Sequence, residues 1–283
     1  MDIAVIGFLV FGFASILGAF ILEGGSPGVL LSLTGFMIVI LGTVAAVGVS
    51  FPKTEIMRVP KLFKAIFTNK KFDLLALIDN IKGMSKMARQ KGILSLEKEM
   101  NENTKMDAFT KKGLGFILDG LDPVKTRGAL ELDLEMMAHR HKCGAAIFEA
   151  AGGFSPTMGI IGTVMGLINV LGELADPSGL GESIAVAFIA TLYGVGAANL
   201  LWLPMASNLK SKSKQEIVRN SMIIEGLMLL QEGANPNFIE DKLKGFLSME
   251  ELSKKGGAKG EKSEAKPAKK GKKGLEVEAQ KEA

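Results

Sequence analysis

Apolar and charged residues are strongly segregated along the chain. Four segments, residues 3–22, 29–51, 150–171 and 183–209, contain no Asp, Glu, Lys, Arg or His. Each is long enough to cross a hydrocarbon core of ~30 Å as a helix, so the pattern predicts four transmembrane helices. The first segment lacks a basic start and a small-residue cleavage site, and we therefore interpret it as a retained span rather than a secretory signal.

The loops between these segments differ in charge. The stretch 53–142 and the stretch after Lys210 are rich in Lys and Arg, whereas the turns 23–27 and 175–182 contain neither. The positive-inside rule therefore places both short turns outside and both termini in the cytoplasm. The sequence predicts a multi-pass protein of the cytoplasmic (inner) membrane, with two helical hairpins that flank a cytoplasmic insertion.

The insertion has a helical pattern. Apolar residues recur at spacings of three and four in residues 74–88 and again in 125–141, and the second of these helices can continue into the third span. Between them, residues 119–123 predict a break. We expect Gly92 to end the first helix and Ser95 to cap the next. Strand patterns are absent, so the fold class is an all-α membrane protein.

These patterns divide the chain into five segments. We predict a first transmembrane hairpin in 1–51, a helical cytoplasmic domain in 52–146, a second transmembrane hairpin in 147–209, a cytoplasmic helical segment in 210–250 and a disordered tail in 251–283. The tail is rich in Lys, Ala and Gly. We interpret it as a solvated segment near lipid headgroups rather than a nucleic-acid partner.

Composition excludes several classes of protein. The chain is 47% hydrophobic and 23% charged with a mean hydropathy of +0.27, values that coexist only because the two kinds of residue are segregated. Its single cysteine, Cys143, excludes an internal disulfide, and His139 with Cys143 on one helix face does not complete a metal site. No nucleotide-binding or zinc-protease motif is present, so we expect no enzyme activity, no catalytic residue and no cofactor.

The third and fourth spans each have a face of small residues with one threonine. The faces consist of Pro156, Gly159, Thr163, Gly166 and Val170 in the third span, and of Ala187, Thr191, Gly194 and Ala198 in the fourth. Such faces allow helix backbones to approach closely. Each hydroxyl can bond to its own helix, or it can help to bind a cation or water beside another helix. In the second span, Gly28, Gly35 and Gly42 repeat every seven residues, a spacing that indicates helix packing.

Ionisable groups are absent from all four spans, which matters because an autonomous ion transporter usually keeps one at mid-membrane. Either the protein carries no ions, or a partner chain supplies the charge. Pro156 and Pro204 provide two points at the cytoplasmic ends of the third and fourth spans where the helices can bend, although a proline near a helix end is also a common structural feature.

Three segments carry a resemblance to a known family. GGFSPTMGIIGTVMGL at 152–167, AFIATLYGVGAANLLWLP at 187–204 and MARQKGILSLEKEM at 87–100, together with the order of the spans, resemble the stator A subunit of the bacterial flagellar motor, the MotA/PomA family. The resemblance extends from residue 1 to about residue 245, and it leaves out the tail.

The resemblance implies an assembly and a mechanism. A subunits of this family form a ring, a pentamer, around two helices of a B subunit (MotB/PomB), a single-span protein that binds peptidoglycan and carries an essential aspartate. Cation binding at that aspartate drives torque on the rotor switch protein FliG for motility. The implied cation is H⁺, with Na⁺ as the alternative.

The resemblance also implies roles for individual residues. Pro156 and Pro204 match mechanistic prolines, and Thr163 and Thr191 match positions on the ion pathway near the partner aspartate. Arg89 and Glu97 match a charged pair that contacts the rotor. Local physics gives a second interpretation of that pair, because each charge also suits the end of its helix.

Two other functions remain open from the sequence. Proton-channel scaffolds of the ExbB/TolQ class share the fourth-span motif and also form rings, but they usually have three spans. A purely structural membrane scaffold is the third interpretation. The hairpin ahead of the insertion favours the flagellar stator.

Overall fold

All regular structure in the described residues is helical. The computed structural model describes residues 2–69, 72–104, 106–172 and 180–252, with the backbone alone for Glu182. The predicted tail lies almost wholly outside these residues, as does most of the turn between the third and fourth spans.

The helices differ greatly in length. In chain order they are α1 (Ile3–Leu22), α2 (Leu33–Phe36), α3 (Gly42–Ser50), α4 (Lys53–Ile56), α5 (Val59–Ile66), α6 (Leu74–Lys91), α7 (Ser95–Glu102), α8 (Ala108–Leu118), α9 (Pro123–Gly172), α10 (Leu180–Ala197), α11 (Leu203–Gln231) and α12 (Pro236–Lys244). Two π-helical turns, Met37–Leu41 and Ala198–Trp202, join α2 to α3 and α10 to α11.

Four helical stretches are long and apolar enough to cross a membrane: Ile3–Leu22, Pro27–Ser50, Pro123–Gly172 and Ser183–Gln231. They confirm the prediction of four apolar helices. The last two are much longer than a bilayer requires. Helix α9 alone has 50 residues, or about 75 Å at 1.5 Å per residue. It begins at Pro123, directly after the predicted break, and joins the amphipathic helix to the third span.

The second span is interrupted, contrary to the continuous helix that the apolar pattern predicted from residue 29. A 3₁₀ turn, Pro27–Leu30, is followed by extended backbone at Leu31 and Ser32. The Ser32 hydroxyl then accepts a hydrogen bond from the Gly35 N–H at 3.1 Å and caps α2. A side chain that bonds to its own backbone in this way competes with helix continuation, and the helix therefore starts at Leu33.

The extensions of α9 and α11 form one core with the insertion. Its fully buried side chains are Ile78, Ile81, Leu96, Leu114, Leu130, Met222, Ile223, Leu227 and Ile239, together with Leu243. They come from six helices, α6 to α9, α11 and α12. The predicted segments 52–146 and 210–250 therefore share a hydrophobic core, and neither packs by itself.

A partly buried ion pair joins α8 to α11. Arg219 lies 2.6 Å from Asp107, whose carboxylate also accepts the N–H groups of Phe109 and Thr110 at the start of α8. Burial by itself raises the pKa of the Asp107 carboxyl, but the hydrogen bonds from Thr110 and the charge of Arg219 outweigh it. The pKa of Asp107 is therefore below its usual value.

The junction of α6 and α7 follows one prediction and contradicts another. Gly92 ends α6 with φ of 83°, a conformation that glycine adopts readily. Ser95 is not the cap of α7, because the capping position is Leu94 and the Ser95 hydroxyl instead donates to the Gly92 carbonyl at 2.6 Å. A turn of backbone hydrogen bonds across 92–97 already starts the helix, so the hydroxyl is not needed there.

Candidate functional site

The predicted small-residue faces of α9 and α10 pack against each other. Gly159 and Gly194 meet at the centre of this contact. A methyl group placed on Gly194 would lie 2.7 Å from the carbonyl oxygen of Ser155 and 3.0 Å from the Cα of Gly159. One placed on Gly159 would lie 3.0 Å from the carbonyl oxygen of Ala190. The two backbones are therefore in direct contact, which only glycine allows.

The same contact continues along both helices. A methyl group on Gly166 would lie 2.6 Å from the Cβ of Ala187, and one on Gly162 would lie 2.5 Å from the Cβ of Ala190. Ala187 is 1% exposed and Ala198 is likewise buried. Four of the five predicted close-packing residues are buried: Gly159, Ala187, Gly194 and Ala198. The fifth, Gly166, is half-buried but lies against Ala187.

The two threonines meet beside this contact. The hydroxyls of Thr163 and Thr191 are hydrogen-bonded to each other. The Thr163 hydroxyl also lies 3.1 Å from the Ala187 carbonyl oxygen across the helix pair and 3.2 Å from the Gly159 carbonyl oxygen on its own helix. Both side chains are half-buried, so they remain accessible from one side of the helix pair.

This arrangement gathers four oxygen atoms without any formal charge. The Thr163 hydroxyl is at the centre, and the Thr191 hydroxyl and the backbone carbonyls of Gly159 and Ala187 lie within hydrogen-bond distance of it. Oxygen atoms of this kind can replace part of the hydration shell of a cation or hold a water molecule. A neutral cluster does not compensate the cost of moving a cation into hydrocarbon. Cation binding at this cluster would therefore need an anion in addition to these neutral oxygens.

The two predicted prolines lie on either side of this region in sequence. Pro156 is inside α9, directly after Ser155, whose hydroxyl is fully buried and has no hydrogen-bond partner among the described residues. Pro204 is the second residue of α11, two positions after the end of the π-helical turn Ala198–Trp202. A proline has no backbone N–H to donate to the preceding turn of its helix. A π-helical turn, with its wider hydrogen bonds between residues i and i+5, accommodates the missing donor.

Tyr193 has a role that the sequence did not show. Its hydroxyl donates to the Leu30 carbonyl and accepts the Ser32 N–H at 3.2 Å, so it satisfies both sides of the interruption in the second span. In lipid an irregular backbone is tolerated only when its polar groups have partners in the protein. Tyr193 lies two residues after Thr191, and one helix thus carries the site and holds the broken span. The apolar pattern gave no sign of the break, so it could not indicate this role.

The glycine repeat of the second span contributes to packing at two of its three positions. A methyl group on Gly42 would lie 3.0 Å from the sulfur of Met158 on α9, and one on Gly35 would lie 3.6 Å from the Tyr193 ring. Gly28 lies in the 3₁₀ turn and meets only its own neighbour Ser26 at 3.9 Å. The expectation of a continuous glycine face is therefore wrong at Gly28, because the helix has not yet begun there.

Arg89 and Glu97 lie away from the threonines, on α6 and α7 of the core that the insertion shares with α9 and α11. Arg89 is in the last turn of α6 and Glu97 in the first turn of α7, on either side of Gly92. Both side chains are exposed, and neither forms an ion pair with another described residue. The pair is free to meet a partner and also suits the two helix ends. His139 and Cys143 approach within 3.8 Å, but no group of three metal-binding side chains occurs in the described residues.

Comparison with known proteins identifies the family. Residues 101–222 match the model of the MotA/TolQ/ExbB proton channel family. The chain is 37% identical over 247 residues to motility protein A of Bacillus subtilis, and the aligned region covers 87% of this chain and 91% of that protein. It is 34% identical over 248 residues to chemotaxis protein PomA of Vibrio alginolyticus, with coverage of 88% and 96%.

Solved structures agree over the same length. The fold is similar to the flagellar MotAB stator complex from Bacillus subtilis, with a TM-score of 0.83, 37% identity and coverage of 89% of this chain and 99% of that one. It is similar to C. jejuni MotAB, with a TM-score of 0.84, 30% identity and coverage of 88% and 97%. These matches establish that the chain belongs to the MotA/TolQ/ExbB proton channel family, among its motility A proteins.

Proposed function

We propose that the chain is the A subunit of a flagellar stator, which couples inward cation flux to torque on the rotor. The observation that carries the proposal is the Thr163–Thr191 cluster, a group of half-buried oxygen atoms in a contact without acidic or basic side chains. The similarity to motility A proteins over nearly their whole length supports it. A B subunit with a single span and an essential aspartate is the partner that supplies the missing charge.

In this proposal the chain assembles as a pentameric ring around two B-subunit helices. The half-buried threonines face the partner, and the glycine contact between α9 and α10 keeps that wall of the ring thin and rigid. The C-terminus lies in the cytoplasm, since the Lys- and Arg-rich segment after Lys210 adjoins it, and the N-terminus lies on the same side because the number of spans is even. Pro156 and the π turn before Pro204 provide the points at which α9 and α11 bend as the cation passes.

The cytoplasmic unit transmits the motion in this proposal. Because α9 and α11 run without a loop from the apolar zone into the cytoplasmic core, a displacement of either helix moves that core as well. Arg89 and Glu97 at the exposed α6–α7 junction contact the rotor protein FliG through complementary charges. Exposed pairs contribute about 0.2–1 kcal/mol each, so several contacts act together.

The proposal predicts that the chain by itself conducts no ions. Purified chain in liposomes should show no proton or sodium flux, and co-reconstitution with its B subunit should produce flux. Thr191→Val keeps the shape of the side chain and removes the hydroxyl, so assembly should persist while flux falls. We expect protons to be the coupling ion, and flux that follows the sodium gradient instead would identify the alternative. Flux through the chain without a partner would overturn the proposal.

An ExbB/TolQ-type scaffold is the second candidate, because the matching family model includes those proteins. The first span and the second-span helix ahead of the insertion favour the stator. Motility decides between them. Expression of the chain with its B subunit in cells that lack their own stator should restore swimming, and Arg89→Glu should reduce it at unchanged membrane abundance. Failure to restore swimming by a well-inserted complex would favour the scaffold.

A further inference from the structure

The segment after the second span carries exposed cations without partners. Lys53, Arg58, Lys61 and Lys64 are all exposed, and none of them forms an ion pair with another described residue. Glu55 is the only acidic residue between residues 51 and 69. These four side chains, which we name the basic collar, repel one another unless an anion lies among them.

Several cations elsewhere in the cytoplasmic unit form ion pairs within the chain. Many of them have a carboxylate partner in the chain: Lys82 with Glu240, Lys112 with Asp133, Arg127 with Glu225, Lys210 with Glu149 and Arg219 with Asp107. Cations that join two helices of the chain therefore have a carboxylate partner on the neighbouring helix. The basic collar has no carboxylate partner for any of its four cations among the described residues, so its charge is available to a partner outside the chain.

The inner face of α5 fixes the collar at the edge of the apolar zone. Ile66 is fully buried and packs with Phe148 of α9 and Met205 of α11, at the point where these helices leave their apolar segments. Lys61 and Lys64 are on the opposite, exposed face. The collar begins three residues after the second span ends at Ser50, so both of its ends are held beside a membrane span.

Lys212 attaches the far end of α5 to the first span. Its ammonium group donates to the carbonyl oxygens of Ala65, Ile66 and Thr68 at the end of α5. It also lies 3.5 Å from the carboxylate of Asp2, directly before α1. The Asp2 N–H donates to the Phe67 carbonyl at 2.7 Å. The collar is thus held at the level where a span enters the bilayer.

We propose that the basic collar binds the phosphates of anionic phospholipids, such as phosphatidylglycerol, in the leaflet where the second span ends. Clusters of Lys and Arg beside a span attract anionic headgroups, with about a fivefold gain in affinity per cation. A lipid fits better than an acidic protein segment, because membrane-boundary contacts fix the collar at both ends. Met57, which is 68% exposed beside Arg58, adds an apolar side chain at the same level.

The test compares two triple variants of the purified full chain in detergent. Arg58→Gln with Lys61→Gln and Lys64→Gln removes three collar charges. Lys86→Gln with Lys91→Gln and Lys125→Gln removes three exposed charges outside it and serves as the matched control. The measured quantity is the rise in melting temperature as phosphatidylglycerol or phosphatidylcholine is added.

Phosphatidylglycerol should raise the melting temperature of the wild-type chain at concentrations where phosphatidylcholine does not. The collar variant should need about 100-fold more of it, and the control variant should respond like wild type. Added salt should weaken the effect, as expected for charge attraction. If the collar variant is recovered unfolded, Lys64→Gln alone should still need about fivefold more lipid.

Three results would overturn the proposal. A collar variant that responds like wild type would show that the lipid acts elsewhere. An equal response to phosphatidylcholine would show that the headgroup charge is irrelevant. A response to inorganic phosphate or to polyglutamate that matches the response to phosphatidylglycerol would identify a soluble anion or an acidic protein as the partner. None of these measurements depends on motility or ion flux.

Discussion

Helix α9 packs by two different rules along its length. In its apolar half, Gly159 and Gly166 bring its backbone against α10. In its more polar N-terminal half, Leu130 is buried among large side chains of α8 and α11. The difference follows from the solvent. In water, burial of a large apolar side chain is favourable by about 1.5–3 kcal/mol. Lipid tails are as apolar as leucine, so helices there associate through close contact of small residues.

Polar groups differ between the two regions in the same way. The core shared by the insertion, α9 and α11 contains ion pairs such as Arg219 with Asp107, whereas the contact between α9 and α10 contains hydroxyls bonded to each other and to carbonyls. A neutral hydroxyl can enter hydrocarbon at a modest cost if it has a partner, whereas a charge cannot. The contact between α9 and α10 therefore has polar groups without any formal charge.

The largest effect should come from a single methyl group in the membrane contact. Gly194→Ala places a Cβ 2.7 Å from a backbone carbonyl, which cannot move without a shift of α9. We expect loss of the folded protein from membranes, or of its assembly. Gly196→Ala is the matched control, because a Cβ there has nothing within 4 Å. Membrane abundance and gel-filtration profile measure both variants, and equal behaviour would contradict the direct backbone contact.

A deletion in the cytoplasmic core should cost less, because it leaves a cavity rather than a clash. Leu227 is fully buried in the shared core. Leu227→Ala should destabilise the cytoplasmic unit by about 2–5 kcal/mol, which we expect to appear as faster proteolysis there and a lower melting temperature. Leu132→Ala, at an exposed position on α9, is the control. If Leu227→Ala unfolded the membrane helices as readily as Gly194→Ala, the two regions would not follow separate rules.

Loss of one hydroxyl at the broken span should have a smaller effect. Tyr193→Phe leaves the Leu30 carbonyl and the Ser32 N–H without their partner, at a cost of about 1–3 kcal/mol. We expect faster amide hydrogen exchange at residues 30–35, with α6 unchanged. Equal exchange in variant and wild type would show that another group satisfies the break.

The smallest effect concerns acid stability of the cytoplasmic unit. Because the pKa of Asp107 is lower in the folded state, its charged form stabilises the fold above the unfolded pKa of 3.8, and this stabilisation is lost as pH falls through the folded value. Asp107→Ala should cost about 1 kcal/mol at pH 7 through loss of the cap. Its melting temperature should then change less between pH 6 and pH 3 than that of wild type. An equal pH response in both proteins would contradict the assignment.

The sequence by itself determined the elements that depend on composition and period. The four apolar helices follow from charge-free segments of sufficient length, and the break before α9 follows from residues 119–123. Gly92 was recognisable as a helix end because few other residues adopt its φ of 83°. The small-residue faces of the third and fourth spans were visible at spacings of three and four.

Only the tertiary structure decided which surfaces these residues meet. A face of Gly and Ala is compatible with contact inside the chain or with contact to a partner. The approach of Gly194 to Ser155 shows that these faces pack inside the chain, whereas the two threonines stay half-buried. The interruption at Leu31 and Ser32 depends on Tyr193, which lies 161 residues from Ser32 in sequence. The cap on α5 likewise depends on Lys212, which lies 146 residues from Ile66. Patterns within one segment carry no record of such distant partners, since hydrogen bonds of this kind form only after the helices have packed.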